Sequence, residues 1–220
     1  MIKTGKLCRI KCKTREEWLS KRSMGIGASE SAAIIGQSPW MTANDLWNLK
    51  VGNTQPRDLS DNESVQTGVR LEKPLRELFK AIHPELKVEH HPFDMLYQED
   101  YPFMFATLDA EFCEKGSAGK KRGLVEIKTA TPNSKAGWEK WKEQVPPNYY
   151  AQIIWQLACT EYDYAILFAC LFTLEGDFQI RQYRFDRAGM TEDIEYMRRK
   201  ATEFWQSVQT RTLPPMTLII

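Results

Sequence analysis

The segment from Ala106 to Lys128 limits the possible folds more than any other part of this chain. Apolar and β-branched residues lie on both sides of a turn, Gly116–Gly123, that is rich in glycine, serine and lysine. This distribution predicts a β-hairpin, because β-branched residues favour strands while glycine and serine favour the connection between them. We therefore expect the hairpin to belong to a sheet on which other segments pack.

One face of the second predicted strand carries charged residues. Glu126 and Lys128 are two residues apart and point to the same face, whereas Val125 and Ile127 point to the opposite face and into a core. Strand pairing can bring Asp109 beside Glu126. Two carboxylates can hold Mg²⁺, and the lysine can orient a water molecule and offset phosphate charge. A Glu-x-Lys pair is also common on edge strands without such a role, but its position after Asp109 and a hairpin favours a metal-dependent phosphodiesterase.

The length and composition suit one compact domain. Of the 220 residues, 42% are hydrophobic and 27% are charged, so the chain can bury a core and still present a polar surface. We expect a single domain over residues 1–220, with a basic arm or strand at 1–13 and an apolar tail at 210–220. No apolar run is long enough to cross a membrane, and no signal peptide is evident. We therefore expect a cytoplasmic protein with no membrane partner.

Charge and cysteine content argue against two simple classes of protein. The formal net charge is only +1, whereas proteins that coat DNA non-specifically are usually more basic, so a DNA-binding surface would have to be locally concentrated. The five cysteines are scattered, and Cys8 and Cys12 lack a second Cys/His pair at a spacing suited to zinc. Reduced thiols are the simpler interpretation, and an iron–sulfur cluster is not indicated.

The segment around the first predicted helix offers a candidate anion site. Thr14 and Glu17 form a capping-box pattern at the start of that helix, which carries Arg22. A glycine-containing stretch then leads into a short predicted helix with Ser29 in its first turn, where free N–H groups attract anions such as a terminal phosphate. Ser29 is equally consistent with a plain N-cap of a core helix. A return of Arg22 towards Ser29 would favour phosphate binding.

Two further predicted helices carry polar residues of interest. An amphipathic pattern predicts a helix from Ser64 to Ile82, and Glu72 lies near its apolar stripe, either solvated or directed to the metal site as an additional carboxylate. A Pro-Pro pair predicts the start of another helix, in which Gln152 and Gln156 are spaced by one turn.

The remaining segments complete an α/β pattern. We predict strands at 87–93, 103–108, 164–172 and 178–185, and helices at 43–50, around 138–141 and at 191–209. This order predicts a mixed central β-sheet flanked by helices on both faces. Trp138 and Trp141 are more typical of a core than of a base-stacking surface, and the basic turn from Lys120 to Arg122 is either solvated or a phosphate contact.

Six short segments occur in an order and spacing that resemble a known family. They are Trp18–Arg22, Gly25–Glu30, Gly68–Glu72, Thr107–Asp109, Glu126–Lys128 and Tyr150–Gln152. The chain resembles the YqaJ-type viral recombinase family, to which phage lambda exonuclease is similar. Its Asp…Glu-x-Lys arrangement also resembles that of the restriction-endonuclease-like nucleases, which implies a restriction-endonuclease-like core.

The resemblance implies a role for each matching residue. The residues implied to be catalytic are Glu72, Asp109, Glu126, Lys128 and Gln152. Those implied to bind metal are Asp109, Glu126, the Ile127 carbonyl and, at the second ion or its water, Glu72. Those implied to bind the 5′-phosphate of DNA are Arg22, Ser29 and Thr107. Lys128 would position the nucleophile, and Gln152 would hold a water molecule or the lysine.

The same resemblance implies a processive, Mg²⁺-dependent exonuclease that digests one strand of linear double-stranded DNA in the 5′→3′ direction. Two ions per site are implied, with Mn²⁺ expected to substitute. The implied partners are DNA ends, further copies in a homotrimeric ring, and a single-strand annealing protein that uses the 3′ overhangs in phage-type recombination inside a bacterial host cell. Three alternatives stay open: a structure- or site-specific endonuclease on the same fold, a catalytically silent DNA-binding subunit, and a structural protein unrelated to nucleic acid.

Overall fold

The computed structural model describes residues 5–116 and 121–214. The strands are β1 (Leu7–Ile10), β2 (Ile26–Gly27), β3 (Leu86–Glu89), β4 (Met95–Gln98), β5 (Met104–Phe105), β6 (Ala110–Glu114), β7 (Arg122–Ala130), β8 (Tyr164–Phe172) and β9 (Phe178–Asp186). The helices are α1 (Arg15–Arg22), α2 (Ser31–Ile34), α3 (Ala43–Lys50), α4 (Glu63–Ile82), α5 (Lys135–Glu139), α6 (Pro147–Thr160) and α7 (Thr191–Thr210), with 3-10 turns at Ala28–Glu30 and Arg187–Met190.

A five-stranded sheet with the strand order β3-β6-β7-β8-β9 lies at the centre of the fold. Strands β7 and β8 run parallel, while the other neighbouring pairs are antiparallel. Two smaller two-stranded sheets, β1-β4 and β2-β5, lie outside it. The prediction of a mixed central sheet with helices on both faces is therefore confirmed.

The predicted hairpin is formed by β6 and β7. Ala110 pairs with Val125 in an antiparallel register, so Asp109, directly before β6, lies opposite Glu126 as predicted. Residues 117–120 of the predicted turn, including Lys120, lie outside the described residues.

Helix α4 covers one face of the sheet. Its residues Leu75 and Phe79 are buried in a cluster with Val125 and Ile127 of β7 and Phe168 of β8. The alternation of β7 therefore directs Val125 and Ile127 towards α4, which confirms their predicted orientation into a core.

Helix α6 packs within the larger core on the other face. It begins at Pro147, where a proline is tolerated because the first N–H groups of a helix have no intrahelical partner. Ile153, Ile154 and Leu157 are buried with Leu124 of β7 and Leu167 of β8. The side chains of β7 that alternate with the α4-facing residues therefore face α6.

The N-terminal elements differ in detail from the prediction. The basic arm contains a strand, β1, which pairs with β4, while residues 1–4 lie outside the described part of the chain. The Thr14 hydroxyl accepts the Glu17 N–H as expected, but the Glu17 carboxylate accepts the Lys13 N–H and not that of Thr14. The capping box is therefore only half formed.

The predicted strands before the hairpin are too long. A strand was expected to continue to Phe93, but β3 ends at Glu89 because Pro92 and a left-handed Phe93 (φ 65°) form a turn. Strand β4 follows this turn, and no strand was predicted there. The strand expected at 103–108 is reduced to β5.

The predicted tryptophan-rich helix is short, because α5 ends at Glu139. Trp141 is only 3% exposed and belongs to the core, and Trp138 packs against the same core. This confirms the interpretation of these tryptophans as core residues. The predicted tail lies, from residue 215 onward, outside the described residues. Over 5–116 and 121–214, no helix is both long and apolar enough to span a membrane.

Candidate active site

A cavity of about 420 Å³ lies beside the start of β6 and the middle of β7. The residues predicted to be functional that line it are Arg22, Ser29, Glu72, Thr107, Asp109, Glu126 and Gln152. Ile127 and Lys128 do not line the cavity but adjoin it through their bonds to Asp109 and Glu126. The structure thus brings the predicted residues to one place, while their roles stay predictions.

The Glu126 carboxylate is buried and surrounded by donors. Its side chain is 4% exposed, and the Lys128 Nζ lies 2.6 Å from Oε1. The amide nitrogen of Gln152 donates to the same oxygen at 2.6 Å, and that of Gln156 donates to Oε2 at 2.5 Å. Gln152 therefore contacts the carboxylate directly, and Gln156, for which the sequence predicted no role, makes the matching bond.

Asp109 lies opposite Glu126 and is held by the backbone. The Ile127 N–H donates to Asp109 Oδ2 at 2.6 Å. Burial, together with the negative charge of Glu126, raises the pKa of Asp109 well above its usual value, although Lys128 opposes this. The buried Glu126 carboxylate and the partly buried Asp109 carboxylate thus share one ammonium group, and a cation at this position would relieve their repulsion.

Lys128 is kept charged by its acidic neighbours. Burial alone would lower its pKa, but Glu126 and Asp109 raise it above the usual value. The Nζ atom lies 5.3 Å from the centre of the Tyr149 ring, which packs against buried Trp141 at 5.4 Å. The aromatic pair therefore connects the ammonium group to the core.

Glu72 reaches the cavity from α4 and is 41% exposed. Arg76, one turn later, donates to Glu72 Oε1 at 2.9 Å and to the Asp109 carbonyl at 3.1 Å. The same carbonyl accepts the Nδ1–H of His90 at 2.9 Å, and burial lowers the pKa of His90, helped by the charge of Arg76. Arg76 and His90 were missed in the sequence, although the spacing of Arg76 from Glu72 is a typical helical ion pair.

The donor atoms fit a hard divalent cation. Carboxylate oxygens from Asp109 and Glu126 and the carbonyl of Ile127, between Glu126 and Lys128, are ligand types that Mg²⁺ prefers. The excess of negative charge around Asp109 also agrees with such an ion. Glu72 offers a further carboxylate, although its Oε1 is held by Arg76.

The predicted phosphate-binding residues form a connected group. Arg22 returns to Ser29, and its Nη2 lies 2.6 Å from Ser29 Oγ. The Arg22 guanidinium also lies 5.1 Å from the centre of the Trp18 ring, whose Nε1–H donates to Thr107 Oγ1 at 2.9 Å. Trp18, one helical turn before Arg22, was not predicted to take part, but that spacing places both on one face of α1.

The predicted helix N-terminus at Ser29 is not formed as expected. Ala28–Glu30 is a 3-10 turn and α2 has only four residues. The Gly27 N–H, which would have faced an anion, donates to the Glu30 carboxylate at 2.7 Å. Side chains rather than a helix terminus therefore supply the candidate anion site.

A second acidic group lies outside this cavity. Ligand atoms of Glu89, His91 and Glu111 all lie within 4.8 Å of one another, and among residues 5–116 and 121–214 no other group of three such side chains is as close. The Glu111 carboxylate is already bound by Arg9 at 2.7 Å and Arg122 at 3.3 Å. Two guanidinium groups thus already offset the negative charge of Glu111, so this group acts as an ion-pair network.

Comparison with known proteins gives a family and a fold. A profile of the YqaJ-like viral recombinase domain matches residues 17–163. The protein YqaJ of Bacillus subtilis is 29% identical over 145 residues, which are 64% of this chain and 40% of that protein. The chain thus spans less than half the length of this relative.

Two solved structures share the fold. An alkaline exonuclease from Laribacter hongkongensis has a TM-score of 0.64 at 20% identity, over 89% of this chain and 93% of that one, and it has also been solved in complex with dAMP. A phage-related exonuclease from Haemophilus somnus has a TM-score of 0.54 at 12% identity, over 85% and 96%. These neighbours identify the restriction-endonuclease-like fold.

The ion-pair network around Glu111 makes a pH-dependent contribution to stability. Burial alone would raise the pKa of Glu111, but hydrogen bonds from Tyr162 and Arg9 hold it below its usual value. A carboxyl group with a lowered pKa stabilises the fold above its unfolded pKa, and this contribution is lost as pH falls through the folded pKa. We expect Glu111→Gln to lower the free energy of unfolding by about 1–3 kcal/mol at neutral pH and by less in acid, measured by urea unfolding.

The matched control is Glu203→Gln, which removes an exposed pair with Lys200 and should have a much smaller effect. Calorimetric titration with Mn²⁺ should give the same affinity for Glu111→Gln and the unmodified protein. Loss of Mn²⁺ binding in Glu111→Gln would instead place the ion at this second group.

Proposed function

Because the chain belongs to the YqaJ-like viral recombinase family, we propose that it is a Mg²⁺-dependent exonuclease that digests linear double-stranded DNA in the 5′→3′ direction. Family membership and the fold shared with exonucleases support a nuclease that acts in recombination. The observation that carries the finer proposal is the single cavity in which Asp109 and Glu126 lie with Arg22, Ser29 and Thr107.

Asp109, Glu126 and the Ile127 carbonyl would hold the first ion, and Glu72 would contact the second ion or its water. Bound Mg²⁺ would activate water and stabilise charge on the leaving oxygen. Lys128 supplies a positive charge next to the scissile phosphate and orients the attacking water.

Hydrogen bonds within the protein hold the two carboxylates in place before DNA binds. Gln152 and Lys128 hold Glu126 Oε1, and the Ile127 N–H holds Asp109 Oδ2. Because the two carboxylates are fixed by these bonds, little rearrangement is needed when the substrate enters.

The group of Arg22, Ser29 and Thr107 supports the proposed polarity. A guanidinium group and two hydroxyl groups can bind the oxygens of a terminal phosphate. The Laribacter exonuclease, which shares this fold, has been solved in complex with dAMP, a nucleotide of the kind released by an exonuclease. We therefore assign this group to the 5′-phosphate of the DNA strand being digested.

We further propose that the protein assembles into a ring and acts together with a second protein. A homotrimeric ring that encloses DNA would explain processive digestion by a chain with a net charge of only +1, since enclosure does not require a strongly basic surface. The 3′ overhangs would be passed to a single-strand annealing protein. We expect the chain to act as one domain, in the cytoplasm of a bacterial host of the phage.

DNA digestion tests the proposed nuclease activity directly. Linear duplex DNA labelled at its 5′ ends should release the label as mononucleotide only when Mg²⁺ or Mn²⁺ is present. Asp109→Asn should lower the rate at least about 100-fold because it removes negative charge that holds the cation. Lys128→Ala should do the same because it removes positive charge that stabilises the transition state, while circular dichroism shows an unchanged fold in both variants.

Closed circular duplex is the substrate control, because an exonuclease requires an end. Cleavage of the circle would indicate an endonuclease on the same fold. No cleavage of either DNA, with folding intact, would indicate a DNA-binding subunit without catalytic activity.

A substitution at Gly27 tests the 5′-phosphate site. A Cβ added at this position would lie 2.8 Å from Arg22 Nε and Nη2, so Gly27→Ala should displace the guanidinium group at little cost in stability, because the end of a flexible side chain can move. We expect the preference for 5′-phosphorylated over 5′-hydroxyl DNA ends to fall, as it should in Arg22→Ala. Initial digestion rates on the two substrates measure this preference.

Gly189→Ala is the matched control, because a Cβ there meets nothing within 4 Å. It should keep the preference of the unmodified protein. An undiminished preference in both Gly27→Ala and Arg22→Ala would refute the assignment of this group to the 5′-phosphate.

A further inference from the structure

We infer that Gln156 is a positioning residue of the active site, which fixes the Glu126 carboxylate in the orientation needed to bind a divalent cation. The inference rests on the proposed nuclease function and deepens it. Gln156 would not touch the cation or the DNA, and its effect would pass through Glu126.

The position of Gln156 is unusual for an amide. Its side chain is fully buried, as are Trp155 and Leu157 on either side of it in α6. A buried amide is unfavourable unless it is hydrogen-bonded. The bond from Gln156 Nε2 to Glu126 Oε2, at 2.5 Å, meets this requirement for the nitrogen.

The other end of the amide has no such compensation. Within the described part of the chain, Gln156 Oε1 has no hydrogen-bond partner. An apolar side chain of similar size would avoid this cost and pack in the same core. The benefit of a glutamine at this position therefore lies in its bond to Glu126 rather than in the stability of α6.

The orientation of the amide is set by the carboxylate that it faces. An ionised carboxylate only accepts hydrogen bonds, so the amide nitrogen must face it; the flipped amide would place two oxygens in contact. The amide nitrogen of Gln156 therefore stays directed at Glu126 Oε2.

Gln156 binds the Glu126 oxygen that Lys128 and Gln152 do not contact. Lys128 and Gln152 both contact Glu126 Oε1, whereas Gln156 contacts Oε2. Contacts on one oxygen alone leave the carboxylate plane free to rotate about that oxygen. The bond to Oε2 removes this freedom, and the packing of Ile153 and Ile154 anchors the helix that supplies it.

Side chains that hydrogen-bond to metal ligands typically change metal affinity or activity by about 10–100-fold when mutated. We therefore expect Gln156→Met, which keeps the size of the side chain but removes the donor, to weaken Mn²⁺ binding at least about 10-fold. Calorimetric titration of the full chain with Mn²⁺, in the absence of DNA, measures the affinity independently of turnover. Gln156→Asn, whose amide is one methylene too short, should weaken binding similarly and serves if Gln156→Met does not fold.

The chain provides a closely matched control in Gln98. This glutamine is 1% exposed, its Nε2 donates to the Cys159 carbonyl of α6 at 3.0 Å, and its Oε1 also lacks a partner among the described residues. Gln98→Met therefore removes an equally buried hydrogen bond from an amide to the same helix, but one that is made to a backbone carbonyl and not to a carboxylate. It should lower stability and leave the Mn²⁺ affinity unchanged.

Unchanged Mn²⁺ affinity in a folded Gln156 variant would overturn the inference. Equal weakening in Gln156→Met and Gln98→Met would also overturn it, because a general loosening of α6 would then explain both. Absence of Mn²⁺ binding and DNA digestion in the unmodified protein would contradict the proposed function itself, which is a separate and distinguishable failure.

Discussion

The burial of the Glu126 carboxylate is the constraint on which the rest of the site depends. A buried charge is strongly unfavourable unless donors surround it, and the fold supplies these donors from two elements. Lys128 comes from the same strand, because side chains two residues apart share a face. Gln152 and Gln156 come from α6, because residues four apart share a face of a helix. The docking of α6 on the sheet thus stabilises the helix and the carboxylate together.

The structure separates two kinds of acidic group. Around Glu111, the guanidinium groups of Arg9 and Arg122 offset the carboxylate and its pKa is lowered. Around Asp109, one ammonium group offsets two carboxylates, and the pKa of Asp109 is raised. Geometric closeness alone would favour the first group as a cation site, but the balance of charge favours the second. The balance of charge is the better guide, because a divalent cation binds where negative charge is in excess.

Local patterns predicted the parts of the structure that local physics determines. The alternation along β7 predicted which residues face the core, and the register of the hairpin placed Asp109 opposite Glu126. The Pro-Pro pair likewise marked the start of α6. These features depend on periodicity and on backbone groups near in sequence, so they are visible without knowledge of the fold.

Features that depend on tertiary contacts were not predictable in this way. The turn at Phe93, and hence β4, requires a left-handed residue that the sequence does not mark with glycine. Arg76 links Glu72 to the Asp109 carbonyl across 33 positions of sequence, and the role of Gln156 appears only when α6 is docked on β7. The anion site expected at a helix N-terminus near Ser29 is not formed, because the Gly27 N–H donates to the Glu30 carboxylate.

The most direct test of this account is a crystal structure of the protein grown with Mn²⁺, in which anomalous scattering locates the ion. We predict a peak about 2 Å from carboxylate oxygens of both Asp109 and Glu126, as expected for a hard divalent cation with oxygen ligands. A peak between Glu89, His91 and Glu111, with none at Asp109 and Glu126, would contradict it.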